Sequence, residues 1–215
     1  MRIHLKIKAN LANESRYKIN KQSGASLIVS LIMLIVVLVL SISVATMSLQ
    51  NEKSSRSDRD RQVALNAAEA ALKDAESDID PQNTPAGTRK TFFDATSNLY
   101  FETGCASGDS NPYQGMCLPN VVGIPVWQSV DLADSGSSSK SVAFGKFTGQ
   151  TMTTGKSSFP AKLPRYIIEV IPDIDPGKEA TEQTKYIYRI TVVGFGANEQ
   201  TQVVLQSYYR KSVSS

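Results

Sequence analysis

ASLIVSLIMLIVVLVLSISVATMSL, residues 25–49 of this 215-residue chain, contains no charged residue, no proline and no glycine. As a helix rising about 1.5 Å per residue, it would measure about 37 Å, enough to cross a hydrocarbon core of about 30 Å. A secretory signal has a shorter apolar stretch, of about 7–15 residues, followed by a small-residue cleavage site. We therefore expect residues 25–49 to form a single-pass transmembrane helix.

The distribution of charge predicts the orientation of this helix. Residues 1–24 carry six basic side chains against one glutamate, a net +5, so residues 25–215 carry −2 of the total +3. Four more basic residues follow the span, namely Lys53, Arg56, Arg59 and Arg61. Lysine and arginine near a span favour the cytoplasmic side. The six basic residues before the span, against four after it, therefore favour a cytoplasmic N-terminus. The slightly acidic remainder does not predict nucleic acid as a partner.

Both cysteines, Cys105 and Cys117, lie on the C-terminal side of the predicted span. They flank a turn-rich segment, and a disulfide closing a loop of this size would stabilise the fold by about 3 kcal/mol. Such bridges persist in oxidising compartments. The alternative is a pair of free thiols in a cytosolic head. An even count in a membrane-tethered chain favours the bridge, and with it a head outside the cytoplasm.

The residues after the span predict a continuation of the same helix. Residues 50–80 are rich in strong helix formers, and no glycine or proline occurs between Ala25 and Asp80. Pro81 then ends the pattern. The simplest prediction is one helix of about 55 residues, whose half at 50–80 is amphipathic. A stripe at spacings of three and four should pack against a head: Leu65, Ala68, Leu72, Ala75 and Ile79.

A basic leader ending in Gly24, followed by this long helix, resembles the class III signal of type IV pilins and type II secretion pseudopilins. Three stretches narrow the resemblance to PilX-type minor pilins: SDRDRQVALNAAEAALKDAES (57–77), PRYIIEV (164–170) and YRITVVGFGANEQTQVVLQSYY (188–209). The resemblance covers both ends of the mature chain. Residues 85–160 contain no stretch that carries the resemblance.

The resemblance implies that the chain exists first as a membrane-anchored precursor and then as a pilus subunit. A prepilin peptidase would remove residues 1–24 by cutting between Gly24 and Ala25, and would methylate the new amine of Ala25. Residues 25–49 would first anchor the protein in the inner membrane and then pack in the core of a pilus. The remainder, 81–215, would be a periplasmic head. The implied partners are that peptidase, other minor pilins, the major pilin and the inner-membrane assembly platform.

The chain departs from the pilin pattern at Val29, the fifth residue after the cleavage position. Major pilins usually carry glutamate there, and it is thought to pair with the terminal amine of a neighbouring subunit. A carboxylate at bilayer depth costs about 2.5–3.5 kcal/mol, so its presence requires a function. Tip-type pseudopilins also lack it. We therefore hypothesise that this chain acts at or near the tip of an initiating complex.

The C-terminal third predicts an antiparallel sheet, so the expected fold class is α+β and pilin-like. The strand-like runs are 165–171, 185–193 and 202–209, and a glycine-containing turn joins the last two. The middle of the head is rich in serine, threonine and glycine. We expect 131–140 and 148–158 to be exposed connections.

The sequence does not predict an enzyme. The single histidine, His4, lies in the leader, so no histidine-based triad or metal site would survive maturation. The acidic pairs Asp78/Asp80 and Asp173/Asp175 lie near proline and glycine, which is typical of turns. A structural Ca²⁺ site is the alternative for such carboxylates, although no spacing matches an EF-hand. No cofactor is expected otherwise.

Three functions remain open from the sequence. The first is a minor pilin that primes type IV pilus polymerisation. The second is a minor pseudopilin of a type II secretion system. The third is a membrane-anchored adhesion or binding domain with no role in a filament. Cleavage after Gly24 would separate the first two from the third.

Overall fold

The computed structural model describes residues 24–80, 89–155, 158–174 and 184–211. The chain divides into two units, Met1–Glu52 and Lys53–Ser215. A single helix, α1 (Ala25–Ile79), begins in the first unit and ends in the second, which confirms the prediction of one long helix. The proposed leader, 1–24, lies outside the described residues except for Gly24.

In the first unit, α1 is apolar on every face. Its large side chains from Leu27 to Met47 are exposed, and its length and hydropathy suit a membrane span. The few hydroxyl groups in this stretch donate to helix carbonyls one turn back, for example Ser41 to Val37 O at 2.7 Å. Backbone acceptors thereby satisfy polar groups that hydrocarbon could not solvate.

The second unit contains a six-stranded sheet and a short helix. The elements are β1 (Glu102–Thr103), β2 (Met116–Leu118), α2 (Val126–Ser129), β3 (Val142–Ala143), β4 (Arg165–Asp173), β5 (Lys185–Phe195) and β6 (Gln202–Tyr209). The strand order is β1-β2-β4-β5-β6, and β3 pairs with β4 beside β2. The predicted antiparallel arrangement is confirmed for β4, β5 and β6. The sheet as a whole is mixed, because β1, β2 and β4 run parallel.

Two apolar cores cover the two faces of this sheet. One lies between the sheet and α1 and contains Ile168, Ile190 and Val192. The other lies on the opposite face, under the disulfide and α2, and contains Ile167 and Val193. Strand β4 is therefore buried on both faces from Arg165 to Val170. The fold class predicted from the sequence, a long helix on a sheet, is confirmed.

The middle of the head contributes more to these cores than the sequence predicted. Most of it is loop, but Phe93, Phe101 and Val126 are buried in one core or the other. The expectation that 131–140 is an exposed connection was wrong for Leu132 and Ser139, which are both buried. The buried Ser139 hydroxyl accepts a hydrogen bond from the guanidinium of Arg165, at 3.0 Å, which offsets the cost of removing it from water.

Candidate functional site

The proposed maturation boundary lies where α1 begins. Gly24 precedes the helix with φ +89°, a conformation that side chains rarely adopt, and Ala25 is the first helical residue. A Cβ added at Gly24 would meet nothing within 4 Å. The boundary is thus exposed, and its backbone geometry suits glycine. Cleavage there remains a prediction.

Val29 lies on the second turn of α1, with 57% of its surface exposed. The first turn of the helix holds no acidic residue, and the first carboxylate along the chain after Gly24 is Glu52. The start of α1 therefore offers only apolar side chains and hydroxyls to any neighbour.

The contact between α1 and the sheet is made mainly by alanines. Ala68, Ala75 and Ile79 of the predicted stripe are fully buried, whereas Leu65 and Leu72 are only half-buried. The centre of the buried line is displaced by one residue from the two leucines and includes Ala64, Ala67 and Ala71. Small side chains occupy this line because the helix backbone approaches the sheet too closely for leucine.

Gly194 on β5 shows how close this approach is. A Cβ on Gly194 would overlap the carbonyl oxygen of Ala64 and the amide nitrogen of Ala68. Both are backbone atoms of α1, so no side-chain rearrangement could relieve the overlap. The alanine seam, which we define as Ala64, Ala67, Ala68, Ala71 and Ala75, is therefore matched by a glycine on the opposing strand.

Two carboxylates on the same helix face are also buried, and the first is Asp78. The guanidinium of Arg89 donates to it from Nε at 3.0 Å, and the hydroxyl of Tyr166 donates at 2.9 Å. Arg89 also donates to the carbonyl of Gln114 at 2.7 Å and lies 3.7 Å from the ring centroid of Phe147. Burial, together with the nearby Asp78 charge, raises the pKa of Tyr166 well above its ordinary value. The prediction of Asp78 as a turn residue was wrong.

The second buried carboxylate, Asp74, ties the helix to the loop after β3. The amide of Gly145 donates to its Oδ2 at 2.7 Å, and the hydroxyl of Thr148 donates to its Oδ1. Desolvation raises the pKa of Asp74 despite these donors. Between them, Asp74 and Asp78 connect α1 to segments around residues 89, 114, 145 and 166.

The predicted disulfide between Cys105 and Cys117 is present, which confirms that prediction. It lies in the core on the face away from α1 and closes a loop braced by backbone hydrogen bonds between Ala106 and both Gly115 and Met116. Cys105 adopts φ +71°, and it follows Gly104 at φ +75°. The disulfide therefore begins at the second of two consecutive residues with positive φ, directly after β1.

An apolar groove of about 300 Å³ lies beside α1 in the second unit. It is lined by Val63, Asn66, Ala67, Met152, Thr153, Ser158, Phe159 and Pro160. The guanidinium of Arg59 donates to the Ser158 hydroxyl at 2.9 Å, which places a positive charge at its rim. No local sequence signal predicts this groove, because its two walls are about ninety residues apart in the chain.

The hypothesis of a structural Ca²⁺ site concerns the acidic pairs Asp78/Asp80 and Asp173/Asp175. Asp175 lies outside the described residues, and Asp173 forms an ion pair with Arg210. Within the described ranges, no group of three or more histidine, cysteine or acidic side chains is arranged to hold a metal ion. A Ca²⁺ site at Asp173/Asp175 stays an untested hypothesis.

Two protein-family models match this chain. A model described as the C-terminal part of type IV pilus assembly protein PilX matches residues 79–211. A second model, PilX N-terminal, matches residues 23–73. The chain belongs to the PilX family. It is therefore a protein of type IV pilus assembly, and the resemblance noted from the sequence is confirmed.

The two PilX matches cover residues 23–73 and 79–211, so Asp74, Ala75 and Asp78 lie between them. The N-terminal match contains Gly24, Ala25, Val29 and most of the alanine seam, and the C-terminal match contains the disulfide and the sheet. One N-terminal apolar helix fits the single-pass membrane anchor of a pilin-like PilX protein. Searches of curated proteins and of solved structures returned no match.

Proposed function

We propose that this PilX-family chain is a minor pilin that primes type IV pilus polymerisation from a complex at the pilus tip. The observation that carries the proposal is Val29, which occupies the fifth position after the proposed cleavage site. Its exposed apolar side chain lies on a helical segment that holds no carboxylate before Glu52.

The proposed maturation follows from the position of Gly24. A prepilin peptidase would cut between Gly24 and Ala25 and methylate the amine of Ala25. Before the cut, the basic residues of the leader would hold the N-terminus in the cytoplasm, with the head in the periplasm. After the cut, the apolar part of α1 would leave the inner membrane and enter the filament.

Cleavage would create a positively charged amine at Ala25. In a filament core of low dielectric constant, an uncompensated ammonium group is costly, and a carboxylate on the next subunit would neutralise it. A subunit that must pair with a predecessor therefore needs this carboxylate, whereas a first subunit does not. Val29 suits a subunit that begins the filament, and the proposed partners are other minor pilins, the major pilin and the assembly platform.

The test is Val29→Glu, with pilus number per cell and copies of this protein per unit of sheared pilus as readouts. We expect the copies per pilus to rise, because the new carboxylate allows pairing with a preceding amine. Val29→Gln controls for polarity, and Val36→Glu places the same charge two turns further along. Unchanged incorporation at a normal membrane level of Val29→Glu would remove the support that Val29 gives to the tip position.

The second candidate is a minor pseudopilin of a type II secretion system, which the same absence of a carboxylate also suits. Deletion of the gene separates the two functions. Loss of pilus-dependent motility with normal protein secretion supports the minor pilin, and the reverse supports the pseudopilin. The third candidate, an anchored binding domain, predicts an uncleaved chain beginning at Met1. Mass spectrometry of the mature N-terminus distinguishes it from a chain beginning at N-methylated Ala25.

A further inference from the structure

One edge of the sheet is formed by β6, whose outer side is open. In the strand order β6 comes last, and among the described elements it pairs only with β5. Its eight residues, Gln202–Tyr209, include no charged residue, no proline and no glycine, and its register with β5 continues without a bulge. Native sheets usually protect an edge with charges, proline, a bulge or a short strand. None of these protects β6.

The opposite edge of the same sheet is protected. It ends in β1, which consists of Glu102–Thr103 alone, and Glu102 is exposed. The strand β3, which pairs with β4, is also only two residues long. Such short strands offer little backbone for a further strand to pair with. The long unprotected edge is therefore specific to β6.

The hydrogen-bonding pattern shows which backbone groups of β6 point outward. The N–H of Gly196 donates to the carbonyl of Thr201 at 2.8 Å, so these residues form a hydrogen-bonded pair at the start of the β5–β6 ladder. Such pairs alternate with non-hydrogen-bonded pairs along an antiparallel ladder. Within the described part of the chain, no other backbone group bonds to those of β6 that point away from β5. The residues that carry these outward N–H and C=O groups are Gln202, Val204, Gln206 and Tyr208.

The open edge, by which we mean the outer side of residues 202–208, has two defined ends. At one end lies the turn that joins β5 to β6. At the other end, the N–H of Tyr186 donates to the carbonyl of Ala95 at 2.8 Å, so residue 95 lies next to β5 where β6 ends. At about 3.4 Å per residue, the open edge measures about 20 Å.

We propose that the open edge of β6 binds an extended segment of another pilus component, which adds one strand to the sheet. A row of unpaired N–H and C=O groups at strand spacing is complementary to the backbone of a further strand, and side chains at alternate positions then give selectivity. Val203, Leu205 and Tyr209 pack against the α1 core but are only half-buried. The bound segment therefore carries large apolar side chains at alternate positions, on the side that faces α1.

Residues 53–215 do not themselves supply this strand. The head residues outside the described ranges are 81–88, 156–157, 175–183 and 212–215, and Val213 is the only large apolar residue among them. None of these segments has the alternating apolar residues that the open edge requires. A role in pilus assembly implies contact with other pilus components, so we assign the segment to one of them. Membership of the PilX family suffices for this inference, which does not depend on the tip position.

The first measurement is residue-resolved hydrogen exchange on the full chain, in sheared pili and in detergent-solubilised membranes. The amides of Val204, Gln206 and Tyr208 should exchange about tenfold more slowly in pili, because their N–H groups gain partners there. The N–H of Leu205 faces β5 in both samples and is the internal reference. Equally fast exchange of the three outward amides in both samples would overturn the proposal.

The second measurement separates backbone pairing from simple burial. A photo-crosslinking residue replaces Tyr208 in the full chain, expressed in its own cells, and the crosslinked peptides are identified. We expect an adduct with an extended segment of another pilus component. Gln206→Pro deletes an outward N–H that β5 does not use, and should lower the adduct yield by about tenfold or more. Gln206→Thr is the matched control, which keeps this N–H and should leave the yield unchanged.

Limited proteolysis tests whether the proline variant has folded. Gln206→Pro should resist proteolysis as the wild type does, whereas Leu205→Pro, which removes a bond to β5, should not. Hydrogen exchange requires no substitution, so it decides the matter if Gln206→Pro is degraded.

Three crosslinking outcomes would overturn this inference: an adduct only with lipid or a second copy of this chain, a yield in folded Gln206→Pro equal to that of the wild type, or no adduct in piliated cells. The mature N-terminus is measured in the same cells. Normal cleavage after Gly24 together with any of these outcomes would contradict the strand pairing and leave the proposed function standing. An uncleaved chain would contradict the proposed function itself.

Discussion

The hydroxyl of Tyr166 on β4 donates a hydrogen bond of 2.9 Å to the carboxylate of Asp78 on the last turns of α1. Both side chains are fully buried, and Arg89 supplies the compensating positive charge. The bond joins residues 88 positions apart and fixes the end of the long helix against the centre of the sheet. Its loss would leave a buried charge with an incomplete set of donors.

Asp78→Asn should destabilise the head by about 3–5 kcal/mol, because it leaves the buried guanidinium of Arg89 without its counter-charge. The measurement is chemical unfolding of the detergent-solubilised full chain, followed by tyrosine fluorescence. Glu69→Gln is the control, since Glu69 is exposed on the same helix and its loss should change the free energy of unfolding by less than about 0.5 kcal/mol. Equal effects of the two variants would contradict a structural role for the Asp78 pair.

Asp74 should make stability depend on pH in an unusual direction. Desolvation raises its pKa in the folded state above the ordinary value of 3.8, so the native state binds its proton more tightly than the unfolded state. Its contribution to stability therefore falls as pH rises from about 4 through the raised pKa. Asp74→Asn, compared with the wild type, should become relatively more stable as pH rises through that window.

Asp60→Asn provides the control of opposite sign. Hydrogen bonding, chiefly to Thr201, lowers the pKa of the Asp60 carboxyl, so its contribution to stability is present at neutral pH and is lost as pH falls through the lowered pKa. Asp60→Asn should be less stable than the wild type near neutrality and should approach it in acid. Unfolding midpoints are measured at several pH values for both variants and the wild type. Parallel slopes for the two variants would refute the assignment whose predicted sign the common slope does not have, and the absence of any slope would refute both.

Gly194→Ala should destabilise the head by about 1–3 kcal/mol or more, because the added methyl group overlaps backbone atoms of Ala64 and Ala68. Gly149→Ala is the control for backbone conformation alone, since Gly149 has φ +73° and a Cβ there meets nothing within 4 Å. We expect its cost to be the smaller of the two, about 1 kcal/mol. Limited proteolysis of the alanine seam reports whether α1 separates from the sheet, and an unchanged cleavage rate for Gly194→Ala would argue against close packing.

Removal of the disulfide should cost about 3 kcal/mol in the double variant Cys105→Ser/Cys117→Ser. The variant Cys105→Gly/Cys117→Ser should recover up to about 1 kcal/mol of this loss, because glycine adopts the φ of +71° at position 105 without strain. Thermal unfolding of the two variants under identical non-reducing conditions measures the difference. A glycine variant less stable than the serine variant would contradict the role of backbone strain at this position.

The sequence predicted the elements whose signals are local. The single helix follows from the absence of glycine and proline over fifty residues, and β5 from alternation between Lys185 and Val193. The strands β1 and β2 were not predicted, because they are two and three residues long and carry no measurable period. β2 pairs with β4, which is remote in the chain, and β1 pairs only with β2.

The buried carboxylates were missed for a related reason. Asp78 lies three residues before Pro81, so the local sequence resembles a turn, whereas its partners Arg89 and Tyr166 are identified only by the folded chain. The predicted stripe differed from the observed alanine seam because a hydrophobic pattern favours Leu65 and Leu72 over alanine. Steric approach, which a hydrophobic pattern does not measure, decided which side of the helix faces the sheet.

The alanine seam has a mechanical consequence for the head. An alanine side chain has no rotamers to exchange, so the alanine seam cannot adapt to a shifted sheet by rearranging its side chains. A pulling force directed along this part of α1 would load the contact in shear, with the buried bonds of Asp74 and Asp78 resisting at the same time. We expect a contact of this kind to separate over its whole length at once under load, rather than to stretch gradually.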